Sequence, residues 1–155
     1  MALLTLTQEQ ELKLQEISAK ILGKPYRFGI EINLSDPPEK IEGLDCSELV
    51  EYLYYNIGLK VPDGSGNQFE ASEAVKLEDA KIGDLLFTKK QGKVNHVAMV
   101  ISYTKVIEAS AWDKAVISQG IFSFTRFYAV DPRRPLKSQF AGIRRLVADK
   151  VTLHG

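Results

Sequence analysis

The spacing of apolar residues in this 155-residue chain changes once, near residue 80, and that change limits the folds open to it. Before it, apolar residues recur every three or four positions; after it they come in short runs rich in Val, Ile and Phe, separated by turns. Thr7 to Leu22 reads as a helix: Thr7 and Gln10 form a capping box, Leu14, Ile17 and Ile21 share a face, and Gly23 ends it. Residues 24–41 are broken by Pro25, Gly29, Pro37 and Pro38. A second helix starts at Asp45, a good N-cap with Glu48 three residues on; Leu49, Val50, Leu53, Tyr54 and Ile57 follow at helical spacing, and Gly58 closes it. Residues 61–66 form a turn-rich connection, and 67–73 a short third helix. Strands are expected at 85–88, 94–102, 104–109, 115–118, 127–130 and 143–147, with residues 89–93 as a polar hairpin loop. Helices first and an antiparallel sheet after is an α+β order, and the chain reads as one domain over residues 1–155.

Composition narrows the function classes. Twenty basic residues balance twenty acidic ones, so the chain lacks the positive charge of a typical nucleic-acid binder. A single cysteine excludes an internal disulfide, and with two histidines it excludes a four-cysteine or Cys2His2 zinc site. No cofactor and no metal are expected. No apolar run approaches the ~20 residues that cross a bilayer. Residues 1–6 lack a basic start, so no signal peptide is expected either. On this reading the protein is made in the cytoplasm and reaches its site of action by lysis, injection or non-classical release.

The lone cysteine sits where chemistry is available. Cys46 falls in the first turn of the second helix, where free N–H groups and the helix dipole favour a thiolate. It reads equally as a nucleophile or as a small buried residue of a core helix. A nucleophile needs a base, and that base needs a third group to hold it. His154, next to the last residue, reads as part of a mobile tail. His96 is the remaining base, and it stands in the apolar run Val94-Asn95-His96-Val97-Ala98-Met99, where a polar ring needs a reason. Glu108, in Val106-Ile107-Glu108-Ala109, needs one too; pairing of 94–101 with 104–109 would bring the two side chains together. The bland alternatives are a hydrogen-bonded core histidine and a sheet-edge carboxylate facing water.

Four segments carry a resemblance. Gly43-Leu44-Asp45-Cys46-Ser47-Glu48-Leu49-Val50 resembles the G-x-D-C-S-G-L-V signature of the NlpC/P60 family of cell-wall endopeptidases. Lys81-Ile82-Gly83-Asp84-Leu85-Leu86-Phe87 resembles its K-P-G-D-L-V-F, His96-Val97-Ala98-Met99-Val100 its H-V-G-I-Y, and Pro25-Tyr26-Arg27-Phe28-Gly29 its P-Y-x-W-G-G. The blocks come in the family's order and span roughly residues 10–147. The resemblance implies a papain-like α+β domain, with N-terminal helices packed on a central antiparallel sheet of five to six strands. It implies Cys46 as nucleophile, His96 as general base, Glu108 at the third position and Tyr26 near the oxyanion; Asp45 and Ser47 beside the cysteine, and Trp112 from its place after the Glu108 strand, are expected against the substrate. Hydrolysis of peptidoglycan stem peptides, at the bond between γ-D-glutamyl and a diamino acid, is the implied activity. Glu48, Ile30 and Ala98 stand where the family has glycine, and Glu108 where it usually has His, Asn or Gln, so the groove is expected to differ more than the chemistry. Three other readings use the same scaffold: a non-catalytic part such as a phage tail-tip component, an acyltransferase, and a toxin effector. The partners expected are a stem peptide and no nucleic acid, with an inhibitor or immunity protein or phage tail components as further partner classes. For Trp112 a loop tryptophan capping the core edge is the competing role. For Arg126, Arg133, Arg134, Arg144 and Arg145 it is a solvated basic face.

Overall fold

The computed structural model describes residues 2–154. Helix α1 (Gln8–Ile21) opens on the expected capping box, Thr7 Oγ1 accepting from the Gln10 N–H while Gln10 Oε1 accepts from the Thr7 N–H. Helix α2 (Cys46–Tyr55) opens on a second: Asp45 Oδ1 accepts from the Glu48 N–H at 2.9 Å and Glu48 Oε1 from the Asp45 N–H at 2.9 Å. These two boxes fix where each helix starts, which for α2 decides where Cys46 points.

Strands β2 (Ser72–Val75), β3 (Leu85–Lys90), β4 (Lys93–Val100), β5 (Lys105–Ser110), β6 (Ala115–Gly120) and β7 (Gln139–Leu146) form one antiparallel sheet in the order β2-β7-β3-β4-β5-β6. Leu85, Phe87, Val97, Met99, Ile107 and Ala109 belong to one core cluster with α1 and α2. The alternate residues Leu86, Ala98, Val100 and Val106 pack in a second cluster with Ile121 and Phe124 of helix α4 (Ile121–Phe127). Apolar side chains on both faces explain why Val97–Val100 is an unbroken apolar run rather than an alternating one. Arg145 on β7 clamps buried Asp84 through two bonds, Nε to Oδ1 at 2.7 Å and Nη2 to Oδ2 at 2.8 Å. The Tyr54 hydroxyl donates to the Gly83 carbonyl at 2.6 Å. Gly83 has φ +96°, and a Cβ there would meet Leu6 Cδ1 at 2.8 Å and the Tyr54 hydroxyl oxygen at 2.9 Å. The segment 81–84 is thus a structural knot that ties α2 to the sheet.

Several expectations are corrected. The third helix, α3, runs Ser65–Glu70 rather than 67–73, because residues 72–75 leave it to pair with β7 as an edge strand. The expected loop 89–93 shrinks to the two-residue turn Gln91-Gly92, both residues at positive φ (51° and 79°), so β3 and β4 are longer than their apolar runs. Residues 121–127 are helical and no strand covers 127–130; Ile121 and Phe124 share a helical face that packs on the sheet. Strands β1 (Leu59–Lys60) and β8 (Thr152–Leu153) form a small separate ribbon. His154 is anchored rather than part of a loose tail: its ring stacks on Tyr55 at 3.7 Å, and its Nε2–H donates to the Tyr55 carbonyl at 2.6 Å.

Candidate active site

Cys46 is the first helical residue of α2. Its approach is set by two backbone contacts, Leu44 N–H to the Pro25 carbonyl at 3.1 Å and Arg27 N–H to the Leu44 carbonyl at 3.0 Å. Asp45 accepts from the Glu48 N–H through its side chain and from the Leu49 N–H through its carbonyl. The sulfur-bearing residue is 9% exposed, on the floor of the site.

Across from it, β4 and β5 pair at Met99↔Ile107 and Val100↔Val106, and no further pairs join the N-terminal half of β4 to β5. His96 lies on that half. Its Nε2 meets Glu108 Oε1 at 2.8 Å, with the two side chains 12% and 1% exposed. The sequence expectation that these strands bring the pair together is met, but by a diagonal reach across parting strands. Burial disfavours a charged ring; hydrogen bonds to Cys46 and to Glu108 outweigh it and push His96 up to about 9. Cys46 and Glu108 thus both bear on His96, and Glu108 is buried rather than at a wet sheet edge.

Tyr26 is half-buried beside this chain. Its N–H donates to the Lys114 carbonyl at 3.0 Å. Burial, and then the negative charge of Cys46, Asp45 and Glu48, hold its phenol above the ordinary range. Asp45 and Ser47, expected to touch substrate, are occupied locally: the Ser47 hydroxyl donates to Asp45 Oδ1 at 3.2 Å and Ser47 is buried. Trp112 does not cap the core edge; it is 79% exposed in the β5–β6 turn, its ring centroid 6.3 Å from that of Phe127. The turn is pinned by Ser110, whose hydroxyl donates to Asp113 Oδ2 at 2.7 Å and accepts from the Asp113 N–H at 3.0 Å. Of the five arginines, Arg145 holds Asp84, Arg144 binds Ser72 and covers the Phe69 ring at 4.0 Å, and Arg133 pairs with Asp131.

Three neighbours of His96 or its carboxylate were not expected from the sequence. Phe124 lies 6.1 Å from the imidazole centroid, near parallel at 21°, and Tyr128 lies 5.9 Å from it. Gln119 Nε2 donates to Glu108 Oε2. The signal for the first two was available: Ile121, Phe124 and Tyr128 recur at i, i+3 and i+7, a helical spacing masked by aromatic residues that favour strands. An acidic group flanks the start of α2. Burial comes first in raising Glu48 to about 7, against the Asp45 N–H that it accepts, and Glu51 to about 8; the charges of Asp45 and Asp63 add to both rises.

The family model described as NlpC/P60 matches residues 23–128. The chain is similar to the peptidoglycan endopeptidase RipB of Mycobacterium tuberculosis, 34% identical over 95 residues, covering 57% of this chain and 39% of that protein. It is similar to the gamma-D-glutamyl-L-lysine dipeptidyl-peptidase of Bacillus subtilis, 28% identical over 104 residues, covering 65% of this chain and 32% of that protein. The chain thus spans about two fifths or less of the length of these curated relatives. Among solved structures, RipD from M. tuberculosis, described as a non-catalytic NlpC/p60 domain protein adapted to peptidoglycan binding, matches with a TM-score of 0.65 at 20% identity, over 91% of this chain and 99% of that one.

Proposed function

The chain belongs to the NlpC/P60 family, and on that premise we propose that it is a cysteine endopeptidase of peptidoglycan stem peptides, with residues 1–155 acting as one catalytic domain. The fold alone does not carry this reading, since RipD has it and is described as non-catalytic. The observation that carries it is His96 held against the buried Glu108 carboxylate at 2.8 Å, with Cys46 near enough to act beside that carboxylate in favouring the charged ring.

The Cys46 proton already rests on His96, leaving a thiolate, and Glu108 stabilises the imidazolium. The thiolate attacks the peptide carbonyl carbon and forms a C–S bond, placing negative charge on the carbonyl oxygen. The Cys46 N–H and the Tyr26 hydroxyl donate to that oxyanion. Collapse breaks the C–N bond, and His96 gives its proton to the leaving amine. Water, deprotonated by His96, then hydrolyses the thioester and returns the thiol. The bond is the one between γ-D-glutamyl and a diamino acid. Trp112, beside Phe127, walls the groove and contacts the substrate, and Asp45 and Ser47 contribute through the helix start they build.

Digestion of purified peptidoglycan, with the released fragments identified by mass spectrometry, tests this. A new amino terminus on the diamino acid is expected with the wild type and none with Cys46→Ala. Equal release by both proteins, or by neither, removes the proposal.

A further inference from the structure

We propose that Gln119 is a positioning residue of this site: it fixes Glu108 in the orientation that steers the His96 ring toward Cys46. The inference rests on the hydrolase reading and adds a fourth member behind the three.

The Glu108 carboxylate is sealed from water, at 1% exposure, so both oxygens depend on protein donors. Oε1 faces His96 Nε2 and Oε2 takes the Gln119 side-chain N–H. Between them the two bonds set the plane of the carboxylate. The sheet register explains the reach. Across β5 and β6, Glu108 stands opposite Ile117 and Val106 opposite Gln119, so Glu108 and Gln119 are diagonal neighbours on one face of the sheet. An ionised carboxylate only accepts hydrogen bonds, so the amide must present its N–H. The choice of an amide matters chemically. A lysine or arginine at 119 would neutralise Glu108 and compete with the imidazolium for it. Glutamine satisfies the second oxygen and leaves the negative charge for His96.

The groups that face His96 come from three elements, Cys46 on α2, Glu108 on β5, and Phe124 and Tyr128 at α4 and its end, while Gln119 on β6 acts through Glu108. Glu108, Asp113 and Cys46 also bear on the Tyr128 phenol, which burial raises first. Gln119 is the only one of these that touches Glu108 without touching His96 or Cys46 chemistry directly.

The test uses the full chain with Gln119→Met, which keeps length and loses the donor, and Gln119→Glu, which keeps shape and donates only while protonated. The His96 imidazole is titrated by NMR, where His154 is the one other histidine, and kcat and KM are measured on a purified stem peptide. Gln119→Met is expected to lower kcat about tenfold with KM within about twofold, and to move the His96 midpoint down by about one unit. Gln119→Glu is expected to match the kcat loss of Gln119→Met at pH 8, where its carboxyl is ionised and cannot donate, and to recover toward wild type as the pH falls and the two carboxyls share a proton. An unmoved His96 midpoint in Gln119→Met, or a Gln119→Glu that tracks wild type at every pH, overturns the assignment. If Gln119→Met does not fold, the pH-dependent rescue decides alone. A wild type that releases nothing from the peptide removes the hydrolase reading, while the NMR midpoints still decide whether Gln119 acts on His96.

Discussion

At the scale of single residues, the informative choice is a carboxylate behind His96. A neutral third group orients a histidine; a buried carboxylate also favours its charged form. His96 is pushed up to about 9 from an ordinary value near 6.5, by hydrogen bonds to Cys46 and Glu108 acting against burial. The charged ring, and the protonated general acid needed for the leaving amine, should therefore persist through neutrality. The kcat/KM profile is expected to fall on its alkaline side near pH 9. Glu108→Gln should move that limb toward neutrality, and a limb that stays near 9 in this variant would detach Glu108 from His96. Tyr26→Phe is expected to lower kcat by about 10²–10³ with little change in KM, as loss of one oxyanion donor does, while Cys46→Ala leaves no measurable turnover. Cys46, His96 and Glu108 were legible because each is a reactive or polar residue in an apolar or capping context. Gln119 was not: on a half-exposed strand a glutamine is unremarkable until its diagonal neighbour is known.

At the scale of elements, α2 is positioned by its cap, and Cys46, the proposed nucleophile, is the first residue the cap controls. Asp45→Ala removes the acceptor for the Glu48 N–H and should cost about 1 kcal/mol of stability. Since the first turn that frays contains Cys46, kcat should drop by more than the lost stability explains. Asp45→Asn, which still caps, should restore most of both in thermal melts and steady-state assays. The helix starts were readable because capping boxes are local. The strand at 72–75 was not, because Ser-Glu-Ala-Val has no strand pattern of its own and becomes β2 only by pairing with β7. The bonds from Arg144 to Ser72, and its cover over Phe69, hold that edge from 72 residues away. Helix α4 was hidden for the opposite reason: Phe-rich sequence favours strands, and the burial of Ile121 and Phe124 against the sheet overrode that preference.

At the scale of the whole molecule, two buried features set how stability answers to change. Asp84 is nearly sealed and paired bidentately with Arg145, and it also accepts from the Lys81 N–H at 2.8 Å. Asp84→Ala strands the guanidinium and should cost about 3–5 kcal/mol, lowering the melting temperature by roughly 10 °C. The second feature is pH. His96, Glu48 and Glu51 are all held above their ordinary values, at about 9, 7 and 8. A raised group contributes stability that is complete below its unfolded-state value and lost as the pH climbs through its folded-state value. The melting temperature should therefore be highest near pH 5 and fall steadily toward pH 9. Glu51→Gln should flatten the alkaline fall, by about 1 kcal/mol at pH 9 once solvent screening of this half-exposed group is counted. A melting temperature that rises from pH 5 to 9 would refute the reading of that acidic group.

The chain's local rules determined the helix starts, the α-then-β order, a lone cysteine at a helix start and the histidine and glutamate in apolar strands, because capping, periodicity and the cost of burying polar groups act over a few residues. The tertiary structure alone decided what each of those groups touches. Parting of β4 from β5 leaves His96 free to face Cys46 and Glu108, the β5–β6 register sets Gln119 behind Glu108, and α4 backs the ring with Phe124 and Tyr128. Those contacts join residues up to tens of positions apart, and only packing of the two sheet faces fixes the distances between them.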